Sequence, residues 1–297
     1  MNNSYKTGRC DVVTTSICNN NCEFCVFDDD QRKNFSSIPF NKIKSLLNDA
    51  RKKTDFLVLT GGEFFVRGDF FKILDHASCL SFKEINIQTN ARLLSYPEIA
   101  SAVVKKGVTS FTISLHGKNS KQHDRITNVP NSFEQVIRAI KNLKKLQAKI
   151  ITNTVICKYN QNDLVDIFNM LCNLKIDQIQ FVFVRPVGKA FQNFDEVVPR
   201  VKDIKIPIRK CIDLSIEKNI NFLVEGLPYC IMGHFPEKKA ERNMVPVKII
   251  GDIEHSPKQK KTKFEKCKDC IYNDACCGVW VQYASKYGGR EFKPLKN

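Results

Sequence analysis

The sequence predicts an α/β fold: an open, partial (β/α)6 barrel of the TIM type with a small C-terminal extension. Three observations predict it. Short apolar runs alternate with amphipathic stretches through the first two-thirds of the chain, the pattern of βα units repeated around a parallel sheet. A cysteine-rich loop directly follows the first apolar run, where a parallel barrel carries its chemistry. Past about residue 220 the alternation ends, and Gly, Pro, Lys and Cys dominate from Gly226 on.

The strands are expected at Asp11–Thr15, Phe56–Thr60, Glu84–Gln88, Ser110–Leu115, Ile150–Val155 and Gln178–Val184, each a short apolar run. Helical periodicity fills the gaps at Pro39–Lys52, Gly68–His76, Tyr96–Lys105, Phe133–Leu146 and Asn162–Leu171, and Ile206–Lys218 follows the sixth strand. Ser132 followed by Gln135 has the form of a capping box at the fourth helix. Six strands joined by right-handed crossovers close only part of a barrel. Residues 1–220 are read as this barrel and 221–297 as the extension. Short strands are expected to continue at Asn221–Val224 and Val247–Ile250, and the charged stretch Glu237–Lys263 is expected to be a surface excursion.

At 297 residues, 42% hydrophobic and 26% charged, the chain has an ordinary globular composition. No run of about 18 apolar residues is present, so no membrane span is expected. The first residues lack the apolar core of a signal peptide, and a cytoplasmic location is expected. The net charge of +16 suits an acidic partner, but the lysines are dispersed and only Lys258, Lys260, Lys261 and Lys263 cluster. Nucleic-acid binding is therefore set below other readings.

Thirteen cysteines in such a chain point to reduced thiols holding metal rather than to disulfides. Cys79, Cys157, Cys172 and Cys211 stand singly among apolar neighbours and read as buried small hydrophobes; Cys10 stays open. Cys18, Cys22 and Cys25 are different, because three thiols within eight residues can face one centre and are one short of closing it. A [4Fe–4S] cluster held by three cysteines keeps one iron open to a substrate or cofactor. Zinc is the competing reading.

The run from Cys18 to Cys25 resembles the CxxxCxxC signature of the radical S-adenosylmethionine (radical SAM) superfamily, including the aromatic Phe24 before the last cysteine. The resemblance implies that Cys18, Cys22 and Cys25 hold the catalytic cluster, that SAM binds its open iron, and that an electron splits SAM to a 5′-deoxyadenosyl radical. Gly61-Gly62-Glu63 follows the second strand in the place of the family's GGE motif, which receives the amino group of SAM. Ser114-Leu115-His116-Gly117 with His123-Asp124-Arg125 is similar to a family pattern in which the serine bonds SAM and the arginine lies near its carboxylate. Asn153 matches an asparagine that contacts the ribose. Thr89-Asn90 resembles the family's TNG turn, with Ala91 replacing Gly. His116 is open between acid–base work and ring packing; Gln88 and Gln180 are open between substrate contact and core amides.

Cys267, Cys270 and Cys276 form a second set, which by spacing alone reads equally as zinc or iron–sulfur. It resembles the CxxCx5C centre of SPASM and twitch extensions, with Cys230 as the fourth ligand. That resemblance implies one fully ligated auxiliary [4Fe–4S] cluster, with Cys277 a spare thiol, an alternative ligand or a hydrogen donor. The expected activity is a radical SAM oxidoreductase or maturase modifying a peptide or protein. The alternatives are an oxidoreductase of a small nucleotide or sugar metabolite and, more remotely, a non-catalytic zinc or nucleic-acid-binding protein. An electron donor such as flavodoxin or ferredoxin is implied.

Overall fold

The computed structural model describes residues 8–34, 37–240, 247–250 and 261–296. Strands β1 (Arg9–Val13), β2 (Phe56–Thr60), β3 (Glu84–Thr89), β4 (Ser110–Ser114), β5 (Lys149–Ile156), β6 (Gln178–Phe183) and β7 (Phe222–Glu225) pair in sequence order, all parallel. β8 (Val247–Ile250) joins the opposite edge, parallel to β1. The sheet curls into a partial barrel, and strands from beyond residue 220 lie on both of its edges. The crossover helices are α2 (Phe40–Lys53), after the short α1 (Asp29–Asn34), then α3 (Phe70–Cys79), α4 (Pro97–Lys105), α5 (Ser120–Thr127), α6 (Ser132–Lys145), α7 (Leu164–Asn173), and, after the short α8 (Lys189–Gln192) and α9 (Phe194–Val197), α10 (Val201–Glu217). Beyond β7 come α11 (Tyr229–Met232), the small antiparallel pair β9 (Lys261–Thr262) with β10 (Val279–Trp280), and α12 (Val281–Tyr287).

Alternation along the strands separates two faces. Leu57, Leu59, Ile85, Ile87, Phe111, Ile113, Ile179 and Phe181 point to the helices and are buried with the apolar stripes of α2, α3, α6 and α7. The other face looks into the barrel and is polar. At its floor Ser110 donates to Glu84 at 2.9 Å, Asn86 to Ser110 at 2.8 Å and Thr112 to Asn86 at 3.1 Å, so these interior groups are satisfied.

Four expectations are corrected. Ser132 does not cap α6: Asp124 reaches across from α5 and accepts from the N–H groups of Asn131 and Phe133 and from the Ser132 hydroxyl. α10 begins at Val201 rather than Ile206 and runs through Pro207. Cys79 is exposed, whereas Cys157, Cys211 and Cys10 are buried. Within the expected surface excursion, Lys239 is fully buried beside β7; residues 241–246 and 251–260 lie outside the described residues. The C-terminal segment packs on the barrel: Tyr283 is buried, its ring 5.8 Å from Phe183, and its hydroxyl accepts from the Val201 N–H at 2.9 Å.

Candidate active site

Parallel strands bring every loop that follows a strand to one end of the barrel, and both cysteine sets are there. Cys18, Cys22 and Cys25 lie after β1; Cys230 lies just after β7.

The first loop is held from several sides. The Gly62 N–H donates to Thr15 O at 2.6 Å and the Glu63 N–H to Ile17 O at 2.8 Å. A Cβ on Gly61 would meet Thr15 O at 2.4 Å and one on Gly62 would meet Ile17 O at 2.3 Å, so both glycines admit the backbone that leads into the cysteines. Arg92 donates to Asn19 O at 2.6 Å, and Lys189 to Asn21 Oδ1 at 2.7 Å. Glu23, inside the motif, accepts from Arg125 at 2.7 Å and from the Tyr159 hydroxyl at 2.7 Å, and the Arg125 guanidinium lies over the Tyr159 ring. Phe24 meets the His116 ring edge-on at 4.9 Å.

The three thiols feel one another. Burial, and then the charge of Glu63, pushes Cys18 up to about 11; burial, and then Cys25 and Cys18, pushes Cys22 up further. Such thiols keep their protons until a cation compensates them. Donors already face the sulfurs: the Asn20 N–H to Cys18 at 3.3 Å and the Arg32 guanidinium to Cys25 at 3.1 Å. Converging thiols with N–H donors aimed at sulfur fit a thiolate-bound iron–sulfur centre.

Glu63 is buried, and burial raises its pKa against three donors: the Asn90 N–H at 2.7 Å, the Thr89 hydroxyl at 2.7 Å and the Phe65 N–H at 3.1 Å. The Thr89-Asn90 turn thus orients this carboxylate, and Asn90 also reaches Asn19 at 2.7 Å. Along the barrel interior Ser114 pairs in register with Asn153, and Asn153 with Gln180, forming a polar row across β4, β5 and β6. Asn153 Oδ1 is buried and meets no donor, an acceptor that a ligand hydroxyl would satisfy. Gln180 extends the row to Glu225 at 2.9 Å, and Glu225 takes Arg185 at 2.8 Å. His116 is packed rather than poised: it stacks on His123, and burial, then the charge of His123, holds its pKa well below the ordinary value.

Cys230, Cys267, Cys270 and Cys276 line one small recess together with Tyr229, Phe264, Val279 and Phe292. Burial, then Cys276, Cys267 and Cys270, raises the Cys230 thiol to about 11, so the four sulfurs lie within electrostatic reach of one another. Four thiols around a mainly apolar recess fit a fully ligated cluster. Cys277 is not in that wall; its sulfur accepts from Lys239 at 3.2 Å and Lys261 at 3.0 Å.

Sequence reasoning missed Glu23, Arg32, Arg92, Tyr159, Arg185, Glu225 and Lys239. Glu23 carried a signal, a carboxylate inside the cysteine motif. The others come from distant segments with no motif of their own.

A family model described as the radical SAM superfamily matches residues 12–171. The AdoMet-dependent heme synthase of Methanosarcina barkeri is 28% identical over 245 residues, covering 80% of this chain and 67% of the relative. A probable GTP 3′,8-cyclase of Saccharolobus islandicus is 26% identical over 215 residues, covering 70% and 66%. In three dimensions the chain is similar to Streptococcus suis SuiB bound to precursor peptide SuiA, with a TM-score of 0.61 at 18% identity, over 77% of this chain and 51% of that one. The chain thus spans about two-thirds of these curated relatives and about half of SuiB.

Proposed function

The chain belongs to the radical SAM superfamily, and from that premise we propose a two-cluster enzyme that oxidises a peptide or protein substrate at the mouth of its barrel. In this reading Cys18, Cys22 and Cys25 hold the [4Fe–4S] centre that binds SAM, and Cys230, Cys267, Cys270 and Cys276 hold a second. When bound, these groups supply one-electron chemistry: cleavage of SAM to a radical that takes a substrate hydrogen, and an acceptor for the electron then released.

The chain's own residues position the reactants. Glu63, fixed by Thr89 and Asn90, accepts the ammonium of SAM. Asn153 offers its unpaired Oδ1 to a ribose hydroxyl, with Ser114 beside it in register. Gly61 and Gly62 hold the cysteine loop close enough for their backbone to share in the same pocket. Arg125 braces that loop through Glu23, and its half-exposed guanidinium would have to leave that pairing to meet a SAM carboxylate. Phe24 lies against His116 and walls the site.

One observation carries the proposal: two cysteine sets, one of three and one of four, open on the same end of one barrel. The peptide reading draws on SuiB, whose structure holds a precursor peptide, and on the +16 charge, which suits an acidic leader. A second reading, oxidation of a small anionic metabolite, is favoured by the heme synthase and GTP 3′,8-cyclase relatives. Anaerobically reconstituted protein should release 5′-deoxyadenosine from SAM with flavodoxin or ferredoxin as donor. Stimulation by host peptide fractions, with label entering a polypeptide, supports the first reading. Stimulation by small metabolites alone selects the second, and no release with either a protein donor or a chemical reductant would end both.

A further inference from the structure

The turn that leaves the first cysteine set carries a charge back to it. Phe27 is buried and anchors the chain just past Cys25. Asp28 and Gln31 then close a reciprocal capping box: the Gln31 N–H donates to Asp28 Oδ1 at 2.7 Å and the Asp28 N–H to Gln31 Oε1 at 3.1 Å. Such a box satisfies donors that a helix start leaves orphaned, and here it begins α1. The Arg32 N–H donates to Asp28 O at 3.0 Å, which sets Arg32 one turn past the cap. From there its half-buried guanidinium returns to the loop, with one nitrogen on Asn20 O at 3.3 Å and another on Cys25 Sγ at 3.1 Å. A planar fork with two anchors has little freedom left to swing away. Asp29, on the same helix, is taken by Lys189 at 3.0 Å, and among the described residues Arg32 pairs with no carboxylate. Its charge is within electrostatic reach of Cys18 and Cys22 as well.

We propose that Arg32 is a positioning residue for the first cluster: its guanidinium, fixed on the Cys25 sulfur, favours the reduced state and so sets the potential at which the centre takes its electron. The inference deepens the two-cluster reading and rests on Cys18, Cys22 and Cys25 holding the centre that binds SAM. One electron from a donor of the flavodoxin or ferredoxin class adds one negative charge to that centre, spread over iron and sulfur. A cation and an N–H donor fixed at a ligating sulfur stabilise the more negative state, so they raise the potential and ease reduction. The Asn20 N–H on Cys18 is neutral and does the same more weakly.

The test is a redox titration of the anaerobically reconstituted protein, followed by electron paramagnetic resonance on the signal that SAM shifts. At a fixed potential the ratio of reduced to oxidised centre should fall about tenfold in Arg32→Gln, a drop of about 59 mV for one electron. Arg32→Lys keeps the charge and should recover most of it. An unchanged potential in Arg32→Gln, or an equal fall in both variants, overturns the proposal. A role confined to holding the loop would lower iron content and melting temperature without moving the potential, and that result overturns it too. A second measurement needs no variant. In protein whose arginines carry the heavy nitrogen isotope in the guanidinium, pulsed resonance of the reduced centre without SAM should show coupling to that isotope, and its absence counts against Arg32 as decisively. The radical reading fails differently: the unaltered protein would then show no signal that SAM shifts.

Discussion

The two cysteine sets are held by different means. The first rides on a loop that the barrel organises in advance: backbone of β2's end at Gly62 and Glu63, Arg92 after β3, Arg125 in α5, Tyr159 after β5 and Lys189 in α8 all bond it. The second sits on short irregular pieces, a single turn at Tyr229–Met232 and a 3-10 segment at Glu265–Asp269, around an apolar recess. A loop braced by fixed charges can leave one position of its centre open and still hold shape. Four thiols on segments with little structure of their own would, in the proposed reading, take their order from the cluster they hold. On the proposed reading, the contrast is between a reactive site built into the scaffold and an accessory site beside it.

Cys22→Ala tests the scaffolded site and has the largest expected effect. Release of 5′-deoxyadenosine should fall to the uncatalysed background and iron should drop from about eight to about four per chain, measured by chromatography and iron assay. A variant that still released it at the normal rate would sink the assignment. Cys267→Ala with Cys270→Ala should take the same amount of iron from the other site. SAM cleavage should persist while substrate oxidation is lost, and the melting temperature should fall because the recess loses its ligand. Equal melting of this variant and the unaltered protein would contradict the contrast.

Why one site was more legible than the other is a matter of sequence distance. β2 has the bounds expected, and the other barrel strands lie within about two residues of theirs, because apolar runs between amphipathic helices are a local signal. Cys18, Cys22, Cys25 and Gly61-Gly62-Glu63 were legible as compact motifs. The braces were not: Glu23 and Tyr159 are 136 residues apart, and their pairing exists only once the sheet has curled. α5 went unnoticed because it is short and mostly polar, and its Asp124 displaced Ser132 as the cap of α6 through contacts that span seven to nine residues. Lys239 was read as surface from its charge, and only the ring and carbonyl around it explain its burial.

The next test bears on the scaffold alone. Burial holds the His123 pKa near 4, below the roughly 6.5 of an exposed imidazole. A depressed pKa contributes stability that is complete above about pH 6.5 and is lost as pH falls toward 4, because the unfolded chain takes up the proton first. The full difference is roughly 3 kcal/mol. His123→Gln should be less stable than the unaltered protein at pH 7 and should show a flatter decline between pH 7 and 5 in thermal melts. A parallel decline in both proteins would mean that His123 charges as readily folded as unfolded.

Ala91 gives the smallest effect and the finest probe of the scaffold. It is fully buried and adopts a φ of +60°, a conformation that costs a residue with a Cβ about 1–2 kcal/mol. The turn needs that conformation: the Ala91 N–H donates to the Thr89 hydroxyl at 2.8 Å, and that hydroxyl in turn donates to Glu63. Glycine at this position relieves the strain but loses more backbone entropy on folding, which returns part of the gain. Ala91→Gly should therefore be more stable by about 0.5 kcal/mol, a rise of about 1 °C in melting temperature for a chain of this size. SAM affinity should stay the same, since Glu63 keeps all three donors. A loss of affinity would show instead that the Ala91 methyl, and not the turn alone, holds the carboxylate in place.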